Sequence, residues 1–232
     1  MKTPPTTSSP RVSKRWVLAV AAALFAAAAA AHEAPKVAAD FDPPAPGSYR
    51  LERIMQAPDG TIVDTNRKRR QLAAYTHGKV TLLSLMFTTC SDEKGCPLAF
   101  YTIDMIKRDL EKSKAAGGRV QLVSLSFDPE HDTPEVMRAY GGKHVKGGNP
   151  VPWHFLTTAS KRDVSPILDG FGQDVSKAAD GQGDAELMHV LKLFLIDKDG
   201  WVREIYTTSY LIPQVVVNDI KTLLIEDGVK VN

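Results

Sequence analysis

Apolar residues along the chain recur with different lengths and periods, and each pattern predicts a different element. Lys79–Phe87 (KVTLLSLMF) and Arg119–Phe127 (RVQLVSLSF) are almost continuously apolar, as in strands buried on both faces. Ala99, Ile103, Ile106 and Leu110 recur at helical spacing, with Lys107, Arg108, Asp109, Glu111 and Lys112 around them. That stripe predicts a helix opened by Pro97, whose missing N–H costs nothing there, and ended by Gly117-Gly118. Arg50–Asp64 alternates around Asp59-Gly60 and predicts a hairpin. A helix is predicted from Thr133-Pro134, a short strand at Trp153–Thr157, and a helix at Asp163–Phe171 interrupted at Pro166. Lys177–Ala185 (KAADGQGDA) has the composition of a loop. Val190–Ile196 and Trp201–Thr207 predict a second hairpin turning at Asp199-Gly200. A last helix starts at Pro213, with Ile212, Val216, Ile220 and Leu223 along one side.

This order implies a parallel crossover early in the fold and an antiparallel pair late. The expected class is α/β: a thioredoxin-like mixed sheet flanked by helices, with an N-terminal hairpin. No internal repeat suggests a second folded domain.

The N-terminal segment has a different pattern. Lys2, Arg11, Lys14 and Arg15 precede an unbroken apolar run of 16 residues, Trp16–Ala31, ending in small residues. A charged start, a short apolar run and an A-x-A end form a secretory signal, with cleavage expected after Ala31. A membrane anchor is the alternative, although 16 residues rise only about 24 Å against a ~30 Å hydrocarbon core. Residues 1–31 are therefore read as signal peptide or anchor, and 32–48, with Pro35, Pro43, Pro44, Pro46 and Gly47, as a Pro-rich linker. Residues 49–232 form the domain. Export places it in the periplasm or at the outer face of the inner membrane. Of 29 basic and 27 acidic residues, four basic ones lie within 1–31, leaving 25 against 27 beyond it. That balance carries no nucleic-acid footprint, and Arg67-Lys68-Arg69-Arg70 reads as a solvated loop.

The chain has two cysteines, Cys90 and Cys96, six positions apart between a buried strand and a helix N-terminus. A helix N-terminus favours anions, so a thiolate there is expected to have a lowered pKa. A structural disulfide fits an exported chain as well. A zinc finger lacks its second ligand pair. Among six histidines, His77, His131, His144 and His154 read as surface or packing residues, and His32 lies at the cleavage point. His189 stands just before the strand that returns beside the cysteine turn.

Four ordered blocks resemble the Sco/SenC family. Phe87-Thr88-Thr89-Cys90…Cys96-Pro97 resembles its cysteine signature, and Ser124–Pro134 (SLSFDPEHDTP) resembles its S-x-D-P-x-x-D-T-P segment. Trp153–Thr157 resembles its W-x-x-L-T strand, and His189 precedes Phe194–Gly200 at the spacing of its metal-binding histidine. The resemblance implies a thioredoxin fold and a copper chaperone linked to cytochrome c oxidase assembly. Cys90 and Cys96 then match the thiolate ligands and His189 the imidazole ligand, for Cu(I), Cu(II) or both. Asp128 matches a family acid, read as supporting the ligands or the loop. Two departures stand out. The family spaces its cysteines C-x-x-x-C; here the spacing is C-x5-C, which would leave helical side chains roughly 120° apart. The extra residues must loop out, with Gly95 helping the chain into Pro97. Met188 also stands where the family commonly has an acid.

Two functions follow. One is a copper-binding carrier delivering the metal to a cytochrome c oxidase subunit. The other is a thiol–disulfide oxidoreductase using Cys90 and Cys96 as a redox pair on another exported cysteine-containing protein. A peroxidase has no distinct sign in the sequence, and a redox-inert interaction domain is the remaining alternative.

Overall fold

The computed structural model describes residues 41–90, 92, 95–179 and 185–231. The expectations for residues 1–31 lie outside them, and no helix among the described residues is long and apolar enough to cross a membrane.

The sheet is built outward from β4 (Val80–Met86), every residue of which is buried. It pairs parallel to β5 (Val120–Ser126), also buried throughout, and antiparallel to β9 (Lys192–Ile196). Beyond β5 lies β6 (Trp153–Thr157), parallel to it; beyond β9 lies β10 (Trp201–Thr207), antiparallel. With β1 (Met55–Gln56), β2 (Thr61–Asp64) and β3 (Arg69–Gln71), the order is β1-β10-β9-β4-β5-β6-β2-β3. The continuous apolar runs therefore read correctly, because central strands bury both faces.

The first expected hairpin is not formed. β1 pairs with β10 at one edge, while β2 pairs with β6 and β3 near the other. The Asp59-Gly60 turn instead holds the short helix α1 (Ala73–Thr76): Asp59 Oδ1 accepts from Ala73 N at 2.8 Å, and Gly60 O accepts from Leu72 N at 2.9 Å. The N-terminal hairpin is β2–β3, one element later. Arg69 and Arg70 thus lie on an edge strand rather than in a loop, Arg70 Nε standing 3.5 Å from Asp64 Oδ2. Charged residues suit an edge, where they discourage pairing with another chain.

Helix α2 (Cys96–Leu110) buries Ala99, Ile103, Ile106 and Leu110, the stripe seen in the sequence. Thr133 caps α3 (Pro134–Gly141) by accepting from Val136 N. Helix α4 (Lys161–Gly170) continues through Pro166, contrary to the expected interruption. Pro166 is exposed, on the side of the helix away from the core. α5 (Pro213–Glu226) buries Val216, Ile220 and Leu223 as expected.

Of the expected loop at 177–185, residues 177–179 and 185 lie in strands, and 180–184 lie outside the described residues. β7 (Val175–Ala179) and β8 (Ala185–His189) form a separate antiparallel ribbon, with Val175 opposite His189. Val175 and Leu187 pack against the core, but two apolar residues in so short a ribbon give too weak a period to announce it. The Pro-rich segment is also less free than a linker near its end: Asn218 Nδ2 donates to Pro44 O at 2.8 Å, and Gly47 N donates to Thr222 Oγ1 at 3.0 Å. Polar side chains of α5 hold it, with Ile225 of the same helix against Gly47.

Candidate metal centre

Three structural facts bring the site together. β4 delivers Phe87–Cys90 to the end of the sheet, where β5 also finishes; Phe127 N donates to Met86 O at 3.0 Å. α2 begins at Cys96, and Gly95 N closes the preceding turn on Asp92 O at 2.8 Å. β9 runs antiparallel to β4 with Leu193 opposite Ser84, which returns the ribbon end at His189 to the same place. One ligand atom from each of Cys90, Cys96 and His189 then lies within 4.8 Å of the others. Cys96 Sγ and His189 Nε2 are 3.6 Å apart. Two thiolates and an imidazole on one ion at about 2.0–2.3 Å would be separated by about 3.6 Å tetrahedrally and about 4.6 Å linearly. The donor set fits a soft or borderline metal without rearrangement of the fold.

Each donor has a distinct setting. Cys96 is 2% exposed, and burial pushes its thiol up to about 12, with the neighbouring Cys90 adding to the rise; a backbone hydrogen bond at Phe87 works against it. The lowered pKa expected from the helix N-terminus is thus overturned here, because desolvation of a buried thiolate outweighs the dipole. Cys90 is partly exposed, and both thiols are free. His189 packs edge-on to Phe87 and Phe127, at ring separations of 5.7 and 5.0 Å. Burial lowers its pKa, which favours the neutral imidazole that binds metals.

His189 Nδ1 lies 3.3 Å from Val190 O. A carbonyl can only accept, so Nδ1 carries the proton and Nε2 presents its lone pair toward Cys96. Gln173, 4% exposed, donates through Nε2 to that same Val190 oxygen at 3.1 Å. Sequence reasoning missed Gln173, and nothing around it announced a role.

Of the two roles read for Asp128, supporting the ligands or forming the loop, the structure shows the second. Asp128 contributes chiefly its backbone: its carbonyl accepts from Asp132 N at 2.7 Å, and its N–H donates to Ser126 Oγ. Asp132 is the acid that reaches the cysteine turn, holding both polar groups of Thr88. The second Asp of the S-x-D-P-x-x-D-T-P segment was the available signal. His144 and His154 are packing residues as expected, His144 against Asp104 and Trp153, His154 against Tyr75.

Two clefts flank the cysteines. One, of about 300 Å³, is lined by Thr88, Cys90, Cys96, Pro97, Phe100 and Tyr140. The other, of about 270 Å³, is lined by Cys90, Asp92, Leu187, Met188 and His189.

A mixed sheet flanked by helices, with a thiol pair between a central strand and a helix N-terminus, defines a thioredoxin-like protein; the added histidine marks a particular branch. The SCO1/SenC family model matches residues 58–225, and the chain belongs to that family. A SCO1 protein homolog of Bacillus subtilis (strain 168) is 28% identical over 148 residues, which covers 62% of this chain and 71% of that protein. The fold is similar to that of Bradyrhizobium japonicum ScoI with copper bound, at a TM-score of 0.58 and 23% identity, covering 72% of this chain and 98% of the other. It is also similar to BsSco, described as a member of the Sco family of cytochrome c oxidase assembly proteins with a disulfide switch. There the TM-score is 0.54 and the identity 23%, over 76% of this chain and 96% of the other.

Proposed function

We propose that this protein is an exported copper carrier that assists delivery of copper to cytochrome c oxidase, with Cys90, Cys96 and His189 as its ligands. The observation that carries the reading is the convergence of two sulfurs and one imidazole nitrogen within 4.8 Å at the end of a buried strand. Soft thiolates select Cu(I), and the imidazole extends the set to Cu(II). The neutral, oriented Nε2 lone pair is ready to bind, and the three donors come from three elements that meet at one end of the sheet: the turn after β4, the start of α2 and the end of the ribbon. Copper here is cargo: it is bound and passed on, and the chain performs no reaction on it. The copper-bound ScoI and the assembly role stated for BsSco support the reading by kinship. Anaerobic copper titration of the reduced protein tests it, with Cys90→Ser, Cys96→Ser and His189→Ala alongside. One tight site per chain, lost in both serine variants, is the expected result. Absence of a stoichiometric site in the wild type sinks the carrier reading.

A second reading is favoured by the unequal exposure of the two sulfurs. A partly exposed Cys90 and a buried Cys96 are arranged as attacking and resolving thiols of a thiol–disulfide oxidoreductase acting on a partner's cysteines. A thiol pair that cycles with a dithiol partner while binding no copper would establish this alternative.

A further inference from the structure

The copper set leaves one soft donor at its edge without a role. Met188 immediately precedes His189 and is 56% exposed, unusual for a residue type more often buried. It borders the cleft of about 270 Å³ together with Cys90, Asp92, Leu187 and His189. Cys90 borders this cleft and also the one that reaches Cys96, whereas Cys96 is only 2% exposed. A cation entering from the Met188 side therefore meets Met188, Cys90 and His189 before the innermost sulfur. A thioether is neutral, soft and untitratable, so it attracts Cu(I) far more than Cu(II) and remains a donor in acid. Its unbranched side chain has three rotatable bonds, which lets the sulfur follow an ion moving inward.

We propose that Met188 is a rim ligand for Cu(I), holding the ion beside Cys90 during loading and release; the inference rests on the copper reading above. On loading, a Cu–S bond to Met188 and one to Cys90 form first. The bonds to Cys96 and His189 then form as the Met188 bond breaks. Each thiol proton leaves to water as its Cu–S bond forms, and copper stays Cu(I), so no electron donor or acceptor is needed. Release reverses these steps.

The test compares the reduced full-length wild type with Met188→Leu, which keeps the bulk and removes the donor. Competition with a Cu(I)-selective chelator gives affinity and transfer rate, a parallel titration gives Cu(II) affinity, and X-ray absorption counts sulfur neighbours in the acid range. The expected result is Cu(II) binding unchanged, Cu(I) affinity at neutral pH unchanged because Met188 has left the loaded ion, transfer to the chelator slower by about tenfold, and one sulfur fewer at acid pH, where the thiols are protonated and the thioether is not. A wild type that binds Cu(I) stoichiometrically, with a leucine variant identical in transfer and sulfur count, overturns the rim ligand and leaves the carrier intact. A wild type with no Cu(I) site overturns both.

Discussion

Asp132, wholly buried, accepts a hydrogen bond from the backbone N–H of Thr88 at 2.9 Å and a second from the Thr88 hydroxyl. Thr88 lies two residues before Cys90, so this carboxyl fixes the point where the chain leaves β4 for the cysteine turn. Ser126 Oγ also donates to it, at 2.5 Å, which ties the ends of β4 and β5 to one acceptor. Asp132→Ala leaves these donors without their partner and should cost about 3 kcal/mol of stability. Denaturant unfolding measures the loss. A variant as stable as the wild type would show that water replaces the carboxyl freely.

The sequence reveals this region unevenly, for physical reasons. The stripe Ala99–Ile103–Ile106–Leu110 and the run Val80–Met86 are legible because burial imposes a period on residue type. Cys90, Cys96 and His189 are legible as chemistry, and their convergence follows once the order of strands is known. β1 and β2 read as one hairpin because Asp59-Gly60 is a strong local turn signal. Their actual partners, β10 and β6, are distant in the chain and leave no local trace. The ribbon β7–β8 is silent for a related reason: its strands pair through backbone groups. Gln173 acts through a carbonyl, and the rise in the Cys96 pKa depends on burial that only the assembled core creates.

Gln173 should matter to the imidazole and not to the sulfurs. Gln173→Met keeps the side chain's length but removes the donor to Val190 O, and with it the brace on the acceptor of His189 Nδ1. Loss of such a supporting contact typically weakens a metal site by about tenfold or more. Cu(II) affinity and the copper electron-paramagnetic signal should change in this variant, while the rate of thiol modification at Cys90 stays at its wild-type value. An unaltered Cu(II) spectrum would assign Gln173 to packing alone.

Cys96 should behave as a reluctant nucleophile. Burial, the largest cause of its raised pKa, remains in Cys90→Ser, while the contribution of Cys90 is lost. In that variant alkylation of Cys96 should be slow at about pH 8 and still rising with pH beyond the range of an ordinary thiol. Mass spectrometry of iodoacetamide time courses reads this directly. A plateau near neutral pH would mean that the helix N-terminus outweighs burial after all.

Asp219 sets a pH dependence far from the site. It accepts from Tyr49 Oη at 2.5 Å and from Tyr206 Oη at 2.7 Å, tying β10 and the segment before β1 to α5. Burial raises its pKa, an effect the two hydrogen bonds only partly oppose. Because the folded value lies above the unfolded one, the associated stability is present below about pH 4 and declines as pH rises through the folded value. Asp219→Asn cannot ionise and lacks this decline. The stability of the wild type relative to the variant should therefore fall between acid and neutral pH, as urea midpoints at several pH values will show. A constant difference would mean that the carboxyl titrates alike in both states.

The C-x5-C spacing should make Gly95 sensitive to a single added carbon. A Cβ there would stand 3.3 Å from Cys90 Sγ and 3.2 Å from both the carbonyl oxygen and Oδ2 of Asp92. The Asp92 carbonyl is held by the 2.8 Å hydrogen bond from Gly95 N, so the crowding also falls on the Cys90 sulfur, which must give by a few tenths of an ångström. That displacement falls on the donor that both proposed functions need, one for copper and one for disulfide closure. Gly95→Ala should therefore keep the fold while lowering copper affinity by about tenfold and making the Cys90–Cys96 disulfide easier to reduce. Copper competition and equilibration with a glutathione buffer measure the two effects on one sample. Should both match the wild type, the turn is slack enough to absorb the methyl, and Gly95 has no part in setting the sulfur position.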